Sequence, residues 1–319
     1  MDLSRIGLHS VVFCAAAMLI SGCAGSQGAA GAPGLVLPAQ RSAAGTRAGS
    51  WMLPGASSGE LLYIVGDGGQ IWVVSYPEGK LVGTLTNVEY PMGVCSDANG
   101  NVFVTAYHTE DVLEFAHGGT TPIAKLGDYG YYPNGCAVDP KTGNLAVANT
   151  NSMDDTGGNV AIYAGAQGKP TYYTGQYFNG FYWCAYDNLG NLLVDGWGGY
   201  GYAEMPAGSQ TLNEFDMSVA GQGIQWDGSY FAIVNPSAKQ VYRVSLNGSG
   251  GTVVSTITYK GLITSLGYDF VFAGSKVIMP YGIKRNNISK IAPSNYPQGR
   301  LGKPYHFGES DFYSITLSV

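Results

Sequence analysis

Charge is what this sequence has least of. Lys and Arg number 16 and Asp and Glu 22 in 319 residues, together 12%, with a formal net charge of −6 and no basic stripe. Nothing here would displace counterions from a phosphate backbone, so no nucleic-acid partner is expected. Histidine is scarce too: past residue 50 only His108, His117 and His306 occur, which is no imidazole-rich metal constellation. Long apolar runs are missing too. The longest, residues 11–20, is too short to span a bilayer as a helix. After residue 50 there are almost no stretches of Ala, Leu, Glu and Lys at helical spacing. No Gly-x-Ser-x-Gly elbow sits between a strand and a helix, which leaves serine-hydrolase chemistry no foothold.

What remains is 45% hydrophobic residues with 48 Gly and 23 Tyr, enough to bury a core and suited to many short strands joined by tight turns. The N-terminus reads as an address. The apolar run follows a polar segment containing Arg5 and ends in Ile20-Ser21-Gly22-Cys23. This tetrapeptide resembles the bacterial lipobox, in which the cysteine thiol becomes the lipid attachment point. An ordinary secretory signal with an incidental cysteine is the alternative, and both readings export the chain. The expectation is a lipoprotein signal peptide over 1–22, a lipidated Cys23 and a Gly/Ala/Ser/Pro tether over 23–58. The membrane partner would be reached through lipid on Cys23, in the cell envelope on its periplasmic or cell-surface side. Each buried methylene of such a lipid contributes about 0.8 kcal/mol of anchoring.

From residue 59 to 319 the chain repeats. One unit runs Pro91-Met92-Gly93-Val94-Cys95-Ser96-Asp97-Ala98-Asn99-Gly100-Asn101-Val102, and the next Pro133-Asn134-Gly135-Cys136-Ala137-Val138-Asp139-Pro140-Lys141-Thr142-Gly143-Asn144-Leu145. A third copy holds Asp187-Asn188-Leu189-Gly190-Asn191, and weaker ones surround Asp227 and Asp269, so the aspartates recur every 40 to 48 residues. Each copy is a strand, an Asp-x-x-Gly-Asn turn and a second strand, because Asp can bond the backbone of its own turn and Gly accepts positive φ. Two further strands follow, as in Asp111–Phe115 and 122–126. Four antiparallel strands in a period of about 42 residues make a propeller blade. The fold class expected is therefore all-β, a six-bladed β-propeller of four-stranded antiparallel blades. The leading unit lacks its aspartate-marked strand, and residues 313–319 are the expected donor that closes the ring.

These Pro-x-Gly…Asp-x-x-Gly-Asn-Val units resemble those of NHL-repeat and senescence-marker/gluconolactonase-like propellers over most of residues 59–319. The resemblance implies the fold and leaves the activity open, since the architecture hosts lactonases, lyases and purely binding proteins. Catalytic members hold a divalent cation in the central channel. Here the oxygen donors available are Asp154 and Asp195, with Asp155, Glu110 and Asp111 in analogous loops. No metal and no cofactor are expected, one divalent cation in the channel being the alternative. Cys136 and Cys184 occupy equivalent positions in consecutive blades, with Cys95 one residue off register. A bridge among them is open, and buried free thiols are the expectation.

Aromatic residues cluster where the chain enters or leaves strands on one side of the disc. Tyr107, Tyr131, Tyr132, Tyr182 and Trp183 belong to this belt, as do Asp195, Trp197 and Tyr200 around the glycine-rich segment that follows. Half of such rings pack between blades in any propeller; the rest would stack on a ligand. The function expected is a membrane-tethered, extracytoplasmic and monomeric binding module for a glycan, peptide or protein. The alternatives are a metal-dependent hydrolase or lyase and a non-catalytic envelope scaffold.

Overall fold

A computed structural model describes residues 49–198, 201–217, 219–248, 250–260, 262, 265–283, 288–307 and 312–319. The signal segment, Cys23, most of the tether and Tyr200 lie outside these residues. Six antiparallel sheets follow one another along the chain, and no α-helix occurs among the described residues. From the innermost strand outward, blade 2 is Pro91–Ser96, Val102–Ala106, Asp111–Phe115 and Pro122–Gly127. Blade 3 is Tyr131–Val138, Leu145–Ser152, Val160–Tyr163 and Thr171–Tyr173. Blade 4 is Phe178–Tyr186, Leu192–Gly198, Gly201–Met205 and Asn213–Asp216. Blade 5 is Gln222–Trp226, Phe231–Asn235, Gln240–Leu246 and Gly251–Thr258. Blade 6 is Val271–Ala273, Lys276–Ile283, Ile288–Asn295 and Arg300–Leu301.

Blade 1 is assembled from both ends of the folded unit. Its inner strand is Phe312–Ser318, paired antiparallel with Leu61–Gly66, and Ile71–Ser75 and Lys80–Leu85 follow outward. The closing strand is the one the sequence pointed to. A fifth, outermost strand, Trp51–Met52, pairs with Thr84 and Gly83. The ordered blade thus begins inside the stretch that composition marks as tether, because Trp51 and Met52 cover the edge of the sheet.

The strands are nearly continuous apolar runs because both faces of a blade are covered. Side chains alternate across a strand, so Leu61, Tyr63 and Val65 point toward blade 2 while Leu62 and Ile64 point toward blade 6. The core is divided accordingly into six clusters, one between each pair of neighbouring blades.

The repeated aspartates hold their turns as expected. Asp97 Oδ1 accepts the N–H groups of Asn99 at 2.9 Å and Asn101 at 2.8 Å, and Asp187 Oδ1 does the same for Leu189 and Asn191. Gly100 and Gly190 follow at φ 84° and 89°, values that only glycine takes without strain. Asp227 also accepts from Arg243 and the Tyr296 hydroxyl. Asp269 is a correction: it precedes the inner strand of blade 6 instead of ending it, and it caps no turn.

Two of the cysteines are a second correction, while Cys184 is the buried thiol expected. Cys95 and Cys136 form a disulfide with Cα atoms 5.7 Å apart, and Cys184 is a buried free thiol. Cys136 and Cys184 share one register and both point back at the preceding blade, their sulfurs near the carbonyls of Phe103 and Ala146. They therefore cannot meet. The one-residue offset of Cys95 turns it forward, into the cluster between blades 2 and 3, where it faces Cys136.

Candidate functional site

In an antiparallel blade, the loops from second to third strand and the crossovers to the next blade emerge on the same face, opposite the aspartate turns. On blades 2 and 3 this face gathers a chain of rings. Tyr90 lies 4.4 Å from His108 and 5.8 Å from Tyr107 between centroids, and Tyr107 stacks on Tyr132 at 4.8 Å with planes 12° apart. Tyr182 lies within electrostatic reach of Tyr107, and its hydroxyl is held above the usual tyrosine range by burial and by Asp195. A second pair, Tyr131 and Tyr172, meets at 4.9 Å. Tyr90 is 53% exposed and Tyr182 38% exposed, so the chain is open to solvent.

The local backbone explains why these rings converge. Tyr90 and Tyr132 hold the same position in consecutive units, each just before the proline that opens the inner strand (Tyr90-Pro91, Tyr132-Pro133). Asn134 fixes the next blade by donating to the Tyr182 carbonyl at 2.7 Å. Tyr90 takes φ 53°, a left-handed conformation that a bulky residue adopts only where its surroundings impose it, and its carbonyl accepts the N–H of Tyr107. Strain of this kind concentrates at binding and catalytic positions.

Other candidates go elsewhere. Trp183 is half-buried in the cluster between blades 4 and 5 and its ring lies beside Gly135. Phe178, Phe181 and Tyr202, neighbours of the belt in sequence, are core residues. Trp197 lies in the second strand of blade 4 opposite Gly180. Asp154 is an exposed loop acid held by Ser152 and Thr156, which lower its proton affinity. Asp195 is buried and accepts the Trp183 N–H at 2.6 Å. Asp154 and Asp195 are thus not gathered into one ligand set. No group of three or more His, Cys, Asp or Glu side chains is placed to hold a metal ion among the described residues.

Near Asp195 lies a second buried carboxyl that the repeat pattern misassigned. Asp269 accepts the Ser314 hydroxyl at 2.7 Å and the N–H groups of Phe270 and Ile315, linking blade 6 to the closing strand. Burial raises it to about 6 in spite of these donors. Burial and the Asp269 charge likewise hold Asp195 well above the usual carboxylate range. Because the native state binds the Asp269 proton more tightly than the unfolded chain, this group stabilises fully below about 3.8, and the contribution is lost as pH rises through 6. The shift corresponds to about 3 kcal/mol. Urea midpoints measured between pH 4 and 7.5 should fall with rising pH, and Asp269→Asn should flatten that slope. An unchanged slope in the variant would contradict the assignment.

No family model matches the sequence, and no curated protein matches it either. Solved structures do match. A chain from a crystal structure of a nidogen/laminin complex superposes with a TM-score of 0.63 at 13% identity, covering 82% of this chain and 99% of its own. A protein of unknown function from Bacteroides caccae gives 0.61 at 12% identity, with 82% and 99% covered. At such identities the likeness concerns the fold alone. The class is a six-bladed β-propeller, here with an aromatic chain across one face of blades 2 to 4.

Proposed function

We propose that this protein is a binding module whose aromatic face takes a glycan, peptide or protein ligand without making or breaking bonds. The observation that carries the reading is the open run Tyr90–His108–Tyr107–Tyr132, with exposed Tyr182 within electrostatic reach of Tyr107. Flat rings with polar rims and a strained anchor at Tyr90 suit stacking against an extended ligand. The similar chain from the nidogen/laminin complex supports the use of this fold as a binding platform. The Pro-x-Gly and Asp-x-x-Gly-Asn units support a place among NHL-like propellers. Export and lipid attachment through Cys23 complete the proposal, and the Cys95–Cys136 bridge suits that address because disulfides persist in oxidising compartments.

Glycan and peptide arrays probed with the full chain test the reading. Tyr107→Ala combined with Tyr132→Ala should weaken any ligand found by about 30-fold, the effect of losing about 2 kcal/mol at an aromatic hot spot. Leu189→Ala, in an exposed turn on the opposite face, should leave binding unchanged. Equal binding by the wild type and the double variant would refute the assignment of the face.

A further inference from the structure

The rings of blades 2 and 3 stand on segments whose charge has one sign. These segments are the crossover 86–90, the loop 107–110, the crossover 128–130 and the loop 153–159. Hydrogen bonds tie them in series. The Tyr107 N–H donates to the Tyr90 carbonyl, the Asp128 N–H to the Glu110 carbonyl at 2.7 Å, and the Met153 N–H to the Gly130 carbonyl at 2.9 Å. The Glu110 carboxylate also accepts the Gly130 N–H at 2.7 Å. Tyr90, His108, Tyr129 and Met153 are exposed along this line.

The tied segments hold Glu89, Glu110, Asp128, Asp154 and Asp155 and no Lys or Arg. Glu89, Asp154 and Asp155 are exposed, and hydrogen bonds from Ser152 and Thr156 hold the Asp154 carboxyl below its usual range. Asp128 takes no part, since it is buried and bonded by Asn149 and Tyr172. Lys125, on the outer strand of blade 2, is paired with Asp111 at 2.6 Å. On the same face of the disc, Lys239 and Lys260 belong to blade 5. The chain also shows what a cation does among such groups. Arg243 lies 4.5 Å from the centre of the Tyr230 ring and 5.8 Å from that of Tyr296, and pairs with Asp227. A tyrosine face attracts a cation through the ring quadrupole, and a carboxylate beside it completes the contact.

Resting on the reading of this face as a binding surface, we infer that its ligand is a basic segment of a partner protein. Arg or Lys side chains of an extended peptide would lie on the tyrosine rings and pair with the flanking carboxylates, as Arg243 does with Tyr230 and Asp227 inside the chain. Charge complementarity selects this occupant. An acidic peptide or an anionic glycan meets charge of its own sign, and a neutral glycan uses the rings but gains nothing from the acids. Because the carboxylates are exposed, each adds little affinity alone, and the binding they support weakens as salt rises.

The test follows, by fluorescence anisotropy, a labelled peptide of alternating Arg and Ser titrated with the full chain. Two counterparts replace each Arg by citrulline, its uncharged isostere, or by Glu. The Arg peptide should bind, the citrulline peptide should bind about tenfold less tightly, and the Glu peptide should not bind. Glu89→Gln combined with Asp155→Asn should weaken the Arg peptide about fivefold. Asn suits the left-handed φ of 57° at Asp155. Glu60→Gln combined with Glu78→Gln removes the same charge from the opposite face of blade 1 and should leave binding unchanged. Failure of the Arg peptide to bind, equal binding of the Arg and citrulline peptides, or an equal loss in both double variants would overturn the inference. A neutral glycan lost in Tyr107→Ala with Tyr132→Ala, beside an Arg peptide indifferent to those changes, would keep the aromatic face and remove only its basic ligand.

Discussion

Deletion of residues 312–319 should leave a chain that cannot reach the native state. The segment supplies the inner strand of blade 1, and its loss opens the ladder that runs from Leu61↔Ser318 to Gly66↔Phe312. It removes Phe312 and Ile315 from the cluster between blades 6 and 1. Truncating one large buried residue costs about 3 to 5 kcal/mol, so losing two approaches the whole stability of an ordinary domain. Polar ties go as well. Ser318 bonds both His117 and the Gly100 carbonyl, Ser96 bonds the Leu317 carbonyl, and Ser314 holds Val94 on one side and Asp269 on the other. The exposed edge of Leu61–Gly66 then becomes a template for intermolecular pairing. Size-exclusion chromatography and far-ultraviolet circular dichroism should show aggregate or unfolded chain, and a peptide of residues 312–319 added during refolding should recover part of the monomer. A soluble monomer that melts like the wild type would show that the ring closes by other means.

Removal of the disulfide should rank second. Cys95 and Cys136 enclose 41 residues of sequence separation, and loop-closure entropy for that length gives about 4 kcal/mol. Cys95→Ala with Cys136→Ala should therefore lower the urea midpoint substantially, and reducing the wild type should lower it by a similar amount. Fold and blade count should persist, since the clusters on either side do not depend on the bridge. If neither treatment moves the midpoint, the bridge adds nothing that the packing of blades 2 and 3 does not already provide.

The sites differ in how far the sequence reveals them. Tyr107, Tyr132 and Tyr182 are legible as a cluster because they flank strands whose ends share a face. Tyr90 carries the same signal, its place before Pro91 matching that of Tyr132 before Pro133, and repeat alignment alone would have found it. Trp183, from the same belt, packs inward because its strand position faces a neighbouring blade. Asp269 also bore a legible warning: the apolar run Phe270-Val271-Phe272-Ala273 follows it, where the turn aspartates are followed by Ala98-Asn99, Pro140-Lys141, Asn188-Leu189 and Gly228-Ser229.

What the sequence determined by itself is whatever repeats locally: strand alternation, aspartate turns, a period that makes a blade, a count of six, and a missing strand with a donor at the other end. These follow from hydrogen bonds and side-chain directions within a few residues. Only the tertiary structure decided which cysteines meet, which rings stack, and that Asp111, Asp128 and Asn149 are buried. Those outcomes depend on which face of a strand looks at which neighbour. A shift of one residue reverses that direction, and the partner lies in another blade.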